Sequence, residues 1–125
     1  MPGDTVAAVA LRKLVERLSP KPVADIDRAK LDRFRDDHAG VPLDTVEARQ
    51  QVRAVGEVRS VRIVPRAGAP ALEVLVIDGR GALTAVFLGR RKIAGMSPGR
   101  RLVLEGLTAR DGRRLLLFNP VYELH

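Results

Sequence analysis

A chain of 125 residues with no cysteine and no tryptophan is long enough to bury a core within one domain, and it excludes disulfides and thiolate chemistry. Its net charge is +7, with nine Lys/Arg against nine Asp/Glu in residues 1–49 and thirteen against six in residues 50–125. A basic module beside a neutral extension is the electrostatic footprint of a polyanion binder.

An arginine bias, 18 of the 22 cations, accounts for Arg over Lys but not for that uneven distribution. The opening "MPGDTVAAVALRKLVERL" does not read as a signal peptide, since Asp4 stands where positive charge is needed. No run approaches the ~18 apolar residues of a membrane span. The expected location is cytoplasmic.

Residues 5–18 predict a helix, with Leu11, Leu14, Val15 and Leu18 at helical spacing and Asp4 or Thr5 as N-cap. "SPKP" (19–22) is the expected stop, because proline bars helical torsions in the residue before it. A second helix is predicted over Asp25–His38 on a thinner apolar face of Ile26, Ala29, Leu31 and Phe34, with Gly40 as C-cap. Residues 41–50 fit either a short helix or a lead-in to a strand.

From Val52 the apolar period becomes two. "QVRAVGEVRSVRIV" (51–64) is long for one strand, and its apolar phase slips between Val58 and Val61. A slip of that kind predicts a bulge or bend hosted by Gly56 or Ser60. "PRAGAP" (65–70) reads as a loop, and "ALEVLVID" (71–78) and "ALTAVFL" (82–88) as strands joined through Asp78-Gly79. A connector, "GRRKIAGMSPG" (89–99), with at most one helical turn, leads to "RRLVLEGLTA" (100–109). "RRLLLFN" (113–119) follows across a second Asp-Gly turn, Asp111-Gly112.

The result is an all-β core with an α-helical N-terminal extension: 1–49 helical, 50–125 a barrel. Five strands, the first long and bent, with a connector between the third and fourth, outline an OB-fold, a five-stranded Greek-key barrel. An SH3-like barrel is the structural competitor, and it usually places its long loop earlier.

The ordered set Gly56-Glu57-Val58, Asp78-Gly79, Pro98-Gly99-Arg100, Gly106 and Asn119-Pro120…Tyr122-Glu123 resembles the actinobacterial small OB-fold nucleic acid-binding domain proteins. More distantly it resembles the OB barrels of the tRNA-anticodon-binding and RecG-wedge type. The resemblance covers residues 50–124 and, more weakly, the helical extension. It implies an OB barrel and nucleic-acid binding, although fold does not fix function.

An OB barrel binds across its second and third strands, between the loops joining strands 1–2 and 4–5. Here Arg59, Arg62 and Arg66 approach the first loop and Arg110, Arg113 and Arg114 form the second, so a groove that tracks a phosphate backbone is expected. Arg90, Arg91 and Lys92 are either further phosphate contacts or a solvated turn. Of Arg100 and Arg101, alternation turns one to solvent and leaves the other along the barrel rim.

Aromatics are scarce: three Phe and one Tyr. Phe87 shares its phase with Leu83 and Ala85, so it faces either groove or core. Phe118, after three leucines, is expected in the core. Tyr122 either stacks on a base or caps the barrel. Binding should therefore be mainly electrostatic, to single-stranded DNA or RNA rather than duplex.

No enzyme is expected. The only histidines are His38 and His125, too few for a histidine-based metal site or triad, and neither a dinucleotide fingerprint nor a phosphate-binding loop is present. Asp78 and Asp111 read as turn residues. No cofactor or metal is expected. The competing reading is a protein-interaction or oligomerisation module that docks through the N-terminal helix.

Overall fold

The period of two becomes a 13-residue strand, β1 (Gln51–Ile63), in the computed structural model, which describes residues 20–125, with side chains from residue 26. The helix predicted over 5–18 lies outside the described residues. β1 is followed by β2 (Ala71–Ile77), β3 (Ala82–Leu88), β4 (Arg101–Asp111), β5 (Arg114–Phe118) and β6 (Val121–Leu124).

β1 pairs antiparallel with β4 over Gln51–Glu57 and with β2 over Glu57–Ile63. With β2–β3 and β4–β5 antiparallel and β3–β5 parallel, the ring closes in the order β1-β2-β3-β5-β4-β1. This is the OB Greek-key barrel, and it sets aside the SH3-like alternative.

One strand changes partners because β1 bends. A Cβ at Gly56 would lie 2.3 Å from the Ile77 carbonyl oxygen, so only glycine lets the two backbones approach there. The register shift falls between Val58 and Ser60, bracketing Arg59. Gly56 therefore supplies the close approach and not the bulge. Beyond the shift Val61 turns inward, half-buried, while Ile63 is exposed.

The barrel interior is filled by alternate residues, among them Val58, Val74, Val76, Leu83, Ala85, Phe87, Leu102, Leu104 and Leu117. Ile93 and Met96 anchor the connector, which contains turns and no helix, against the same core.

β6 is a strand the sequence did not suggest. Asn119 adopts φ 48° and breaks the extended run after Phe118. Its side-chain oxygen accepts the Leu88 N–H at 2.9 Å, and β6 continues beside β4 with Tyr122 opposite Leu104.

The helix, α1, spans Pro20–Asp37 and starts before the expected Asp25. Prolines are tolerated in a first turn, where N–H groups have no intrahelical partner. The barrel lies wholly within one compact unit, Leu31–His125.

At the helix end Ala39, not Gly40, takes the left-handed conformation, at φ 56°. Ala39 N–H donates to the Asp36 carbonyl (3.2 Å) and Gly40 N–H to that of Arg35 (2.9 Å), the paired bonds of a Schellman motif. Gly40 is small for another reason: a Cβ there would stand 2.6 Å from Val55 Cγ2. The ambiguous stretch after it holds a single 3₁₀ turn, Leu43–Thr45.

Candidate nucleic-acid interface

"PRAGAP" is an ordered hairpin tip. Arg66 and Ala69 exchange backbone hydrogen bonds (2.8 and 3.0 Å) around Ala67 and Gly68, both at positive φ as a type I′ turn requires. The tip turns Arg66 back over the sheet. In the pairing register Arg62 stands opposite Glu73 and Ser60 opposite Leu75, and on the next strand Glu73 faces Val86 and Leu75 faces Thr84. Val74 and Val76 fill the core, so alternation turns Glu73 and Leu75 outward. The resulting groove, about 290 Å³, is lined by Ser60, Arg62, Glu73, Leu75, Thr84 and Arg114.

Glu73 is the hub of this face and is only 3% exposed. Its Oε1 accepts from Arg114 Nη1 at 2.9 Å and Arg62 Nη2 at 3.3 Å, and Arg66 Nη2 stands 3.6 Å from Oε2. Arg114 also donates to Asp111 at 3.3 Å, and Arg66 Nη2 stands 4.0 Å from the same carboxylate. The 1–2 and 4–5 loops are thus tied together over Glu73.

Burial pushes the Glu73 carboxyl pKa up. The hydrogen bonds and charges of Arg114 and Arg62 pull it further down, so it sits below the ordinary glutamate value. The Glu73 and Asp111 hydrogen bonds hold Arg114 above its ordinary value, against a smaller loss from burial.

An apolar strip runs beside the arginines. Ala71, Val86 and Leu116 form a small buried cluster on the outer face, and Phe118 and Leu88 are 41% and 45% exposed. The Arg66 guanidinium lies 5.2 Å from the Phe118 ring centroid, within cation–π reach. Phe118 is therefore a surface aromatic and not the core residue its leucine neighbours suggested. Strict alternation through Arg114, Leu116 and Phe118 carries the signal that would have found it.

The remaining candidates divide. Arg59 at the register shift, and Arg110 and Arg113 at the β4–β5 turn, are exposed and form no ion pair among the described residues. Arg90, Arg91 and Lys92 are also exposed. Gly89 N–H donates to the Pro70 carbonyl at 2.8 Å, which ties the start of their connector to the 1–2 hairpin.

Phe87 is 4% exposed and belongs to the core, so its ring is not available to stack on a base. The Tyr122 ring meets Phe87 edge-on at 5.6 Å, and neither lines the groove. Of the pair Arg100 and Arg101, the first donates to the His125 carbonyl (2.9 Å) and the second lies over Phe34 (5.3 Å).

Sequence reasoning missed Glu73. A lone carboxylate in the apolar run "ALEVLVI" was the available signal. Among the described residues no group of three or more His, Cys, Asp or Glu side chains is placed to hold a metal, and no helix is long and apolar enough to cross a membrane.

No family model matches the chain, and no curated protein matches it either. Among solved structures it is similar to the OB domain (residues 67–166) of MM0293 from Methanosarcina mazei, determined in solution by NMR. The TM-score is 0.51 at 15% sequence identity, covering 66% of this chain and 78% of that one. At that identity the likeness shows the fold, an OB barrel.

Proposed function

We propose that the chain is a non-enzymatic module that binds single-stranded DNA or RNA across the outer face of β2 and β3. The observation that carries this reading is the convergence of Arg62, Arg66 and Arg114 on one groove beside the exposed Phe118. Guanidinium groups offer five N–H donors each. Here Arg62 spends one and Arg114 two on carboxylates, and the N–H groups at their exposed edges remain for phosphate oxygens. Phe118, with Arg66 over it, supplies a flat surface for a base, and Ser60 and Thr84 add hydroxyls to the groove. A single strand matches such a face because its bases are free to stack.

The arginines that meet Glu73 and Asp111 are partly neutralised. Long-range attraction then falls to Arg59, Arg110, Arg113 and the Arg90–Lys92 cluster. The test is fluorescence anisotropy with labelled ~20-nucleotide single-stranded DNA, single-stranded RNA and duplex DNA, each across a salt series. Contacts to about five phosphates give a log–log salt slope near −3.5 on single strands. Preference for single strands with such a slope supports the assignment. Absence of binding at low salt rejects it and turns attention to a protein partner.

A further inference from the structure

We propose, resting on the single-strand reading above, that Glu73 is a positioning residue for nucleic-acid binding: it holds Arg62, Arg66 and Arg114 in one array whose outer N–H groups meet phosphate.

Glu73 lies beneath the arginines, on β2, and is 3% exposed, whereas the Arg62 side chain above it is 65% exposed. A phosphate approaching from solvent meets guanidinium edges and not the carboxylate. Three guanidiniums from β1, the 1–2 hairpin and β5 reach the two oxygens of this one side chain. Without it these long side chains would lie on a face of Leu75, Val86 and Leu116 whose groove offers only the neutral hydroxyls of Ser60 and Thr84 and no carboxylate. Ordering a rotamer-rich side chain on binding is costly, and an anchor already present in the free protein removes that cost. Asp111 cannot substitute, because it is 60% exposed and reaches only Arg66 and Arg114.

The alternative role for a carboxylate on a cationic face is simple charge dilution, and the two predict opposite signs. Glu73→Gln adds one unit of positive charge to the face. If Glu73 only diluted charge, the variant would bind single strands more tightly, with a steeper salt slope. If it positions the arginines, affinity falls about tenfold despite the added charge. The salt slope also becomes shallower by about 0.7 or more, as at least one phosphate contact is lost. A merely structural role would lower the folded fraction without changing that slope.

The experiment is anisotropy on the wild-type chain and Glu73→Gln with labelled 20-nucleotide single-stranded DNA across salt, with thermal unfolding as the folding control. If Glu73→Gln is unfolded at the assay temperature, Glu73→Asp takes its place. It keeps the charge but withdraws the carboxylate by one methylene, and it too should bind more weakly. Wild-type binding with equal or tighter binding by the folded variant overturns the positioning role alone. No binding by the wild-type chain overturns the single-strand reading and this inference together.

Discussion

Two carboxylates are buried along one stretch, Glu73 within β2 and Asp78 just past its end, and they are satisfied in different ways. Asp78, fully buried, accepts from three backbone N–H groups: Leu43 at 2.8 Å, and Arg80 and Gly81 at 2.9 Å each. One arginine, Arg35, adds a longer contact at 3.4 Å. Burial works against the Arg35 charge, but Asp32, followed by Asp78 and Asp36, more than offsets it and raises the Arg35 pKa. Among the described residues the Glu73 carboxylate has only arginine side chains as partners.

A carboxylate closed by backbone fixes the chain's path: Asp78 shapes the four-residue β2–β3 loop and pins the segment leading into β1. A carboxylate closed by side chains fixes where cations sit. The first belongs to the fold and the second to the surface that the fold presents.

That contrast breaks if the two residues respond alike to mutation. The largest effect is expected at Asp78. Asp78→Ala leaves three backbone N–H groups without their acceptor and takes one of three carboxylates from Arg35, and denaturant unfolding should show a loss of about 3–5 kcal/mol. A loss below about 1 kcal/mol would remove the distinction.

Phe118→Ala should do the reverse. Single-strand affinity falls by about 1–3 kcal/mol for one lost stacking partner, and denaturant unfolding moves by only about 1 kcal/mol, because Phe118 is 41% exposed and belongs to neither buried cluster.

Next comes the acid limb. The folded Glu73 pKa lies below its ordinary value of 4.5, so its stabilisation is complete above that pH and is lost as pH falls through the lower folded value. Glu73→Gln should therefore be less stable at pH 7 by about 1–3 kcal/mol. Its stability should also fall less steeply than the wild type's below pH 4.5, as pH-dependent denaturation would show.

The smallest effect belongs to the connector. Arg90→Glu with Arg91→Glu should make the salt slope shallower by about 1.4 for two lost contacts, with unfolding unchanged within about 0.5 kcal/mol. An unchanged slope would confine binding to the groove over Glu73.

The barrel was legible in the sequence because a strand's period of two survives in almost any context. Even the slip within β1 showed as a change of phase, though its position did not: Gly56 and Ser60 were both plausible, and the shift brackets Arg59. What escaped were features set by pairing across the ring. Phe118 looks like core because three leucines precede it, yet it shares the outward phase of Arg114 and Leu116 and stands opposite Val86 of β3. β6 was hidden because a single left-handed asparagine interrupts an extended run. Glu73 gave a faint signal, one acid among aliphatics. Its meaning came only when β1, β5 and the 1–2 hairpin delivered arginines to it from both sides in sequence.

The change of partners along β1 has a consequence for how the chain reaches this state. Because β1 must pair with β4 as well as with β2, Gln51 has to find Leu107, and that contact can form only after most of the barrel has been synthesised. Such distant pairings place the chain among slow folders. Until β4 emerges, the Gln51–Glu57 edge has no mate, and an unpaired edge is a template for any other strand that meets it. Conditions that slow production of β4 should therefore favour aggregation of the nascent chain, even when the finished barrel is stable.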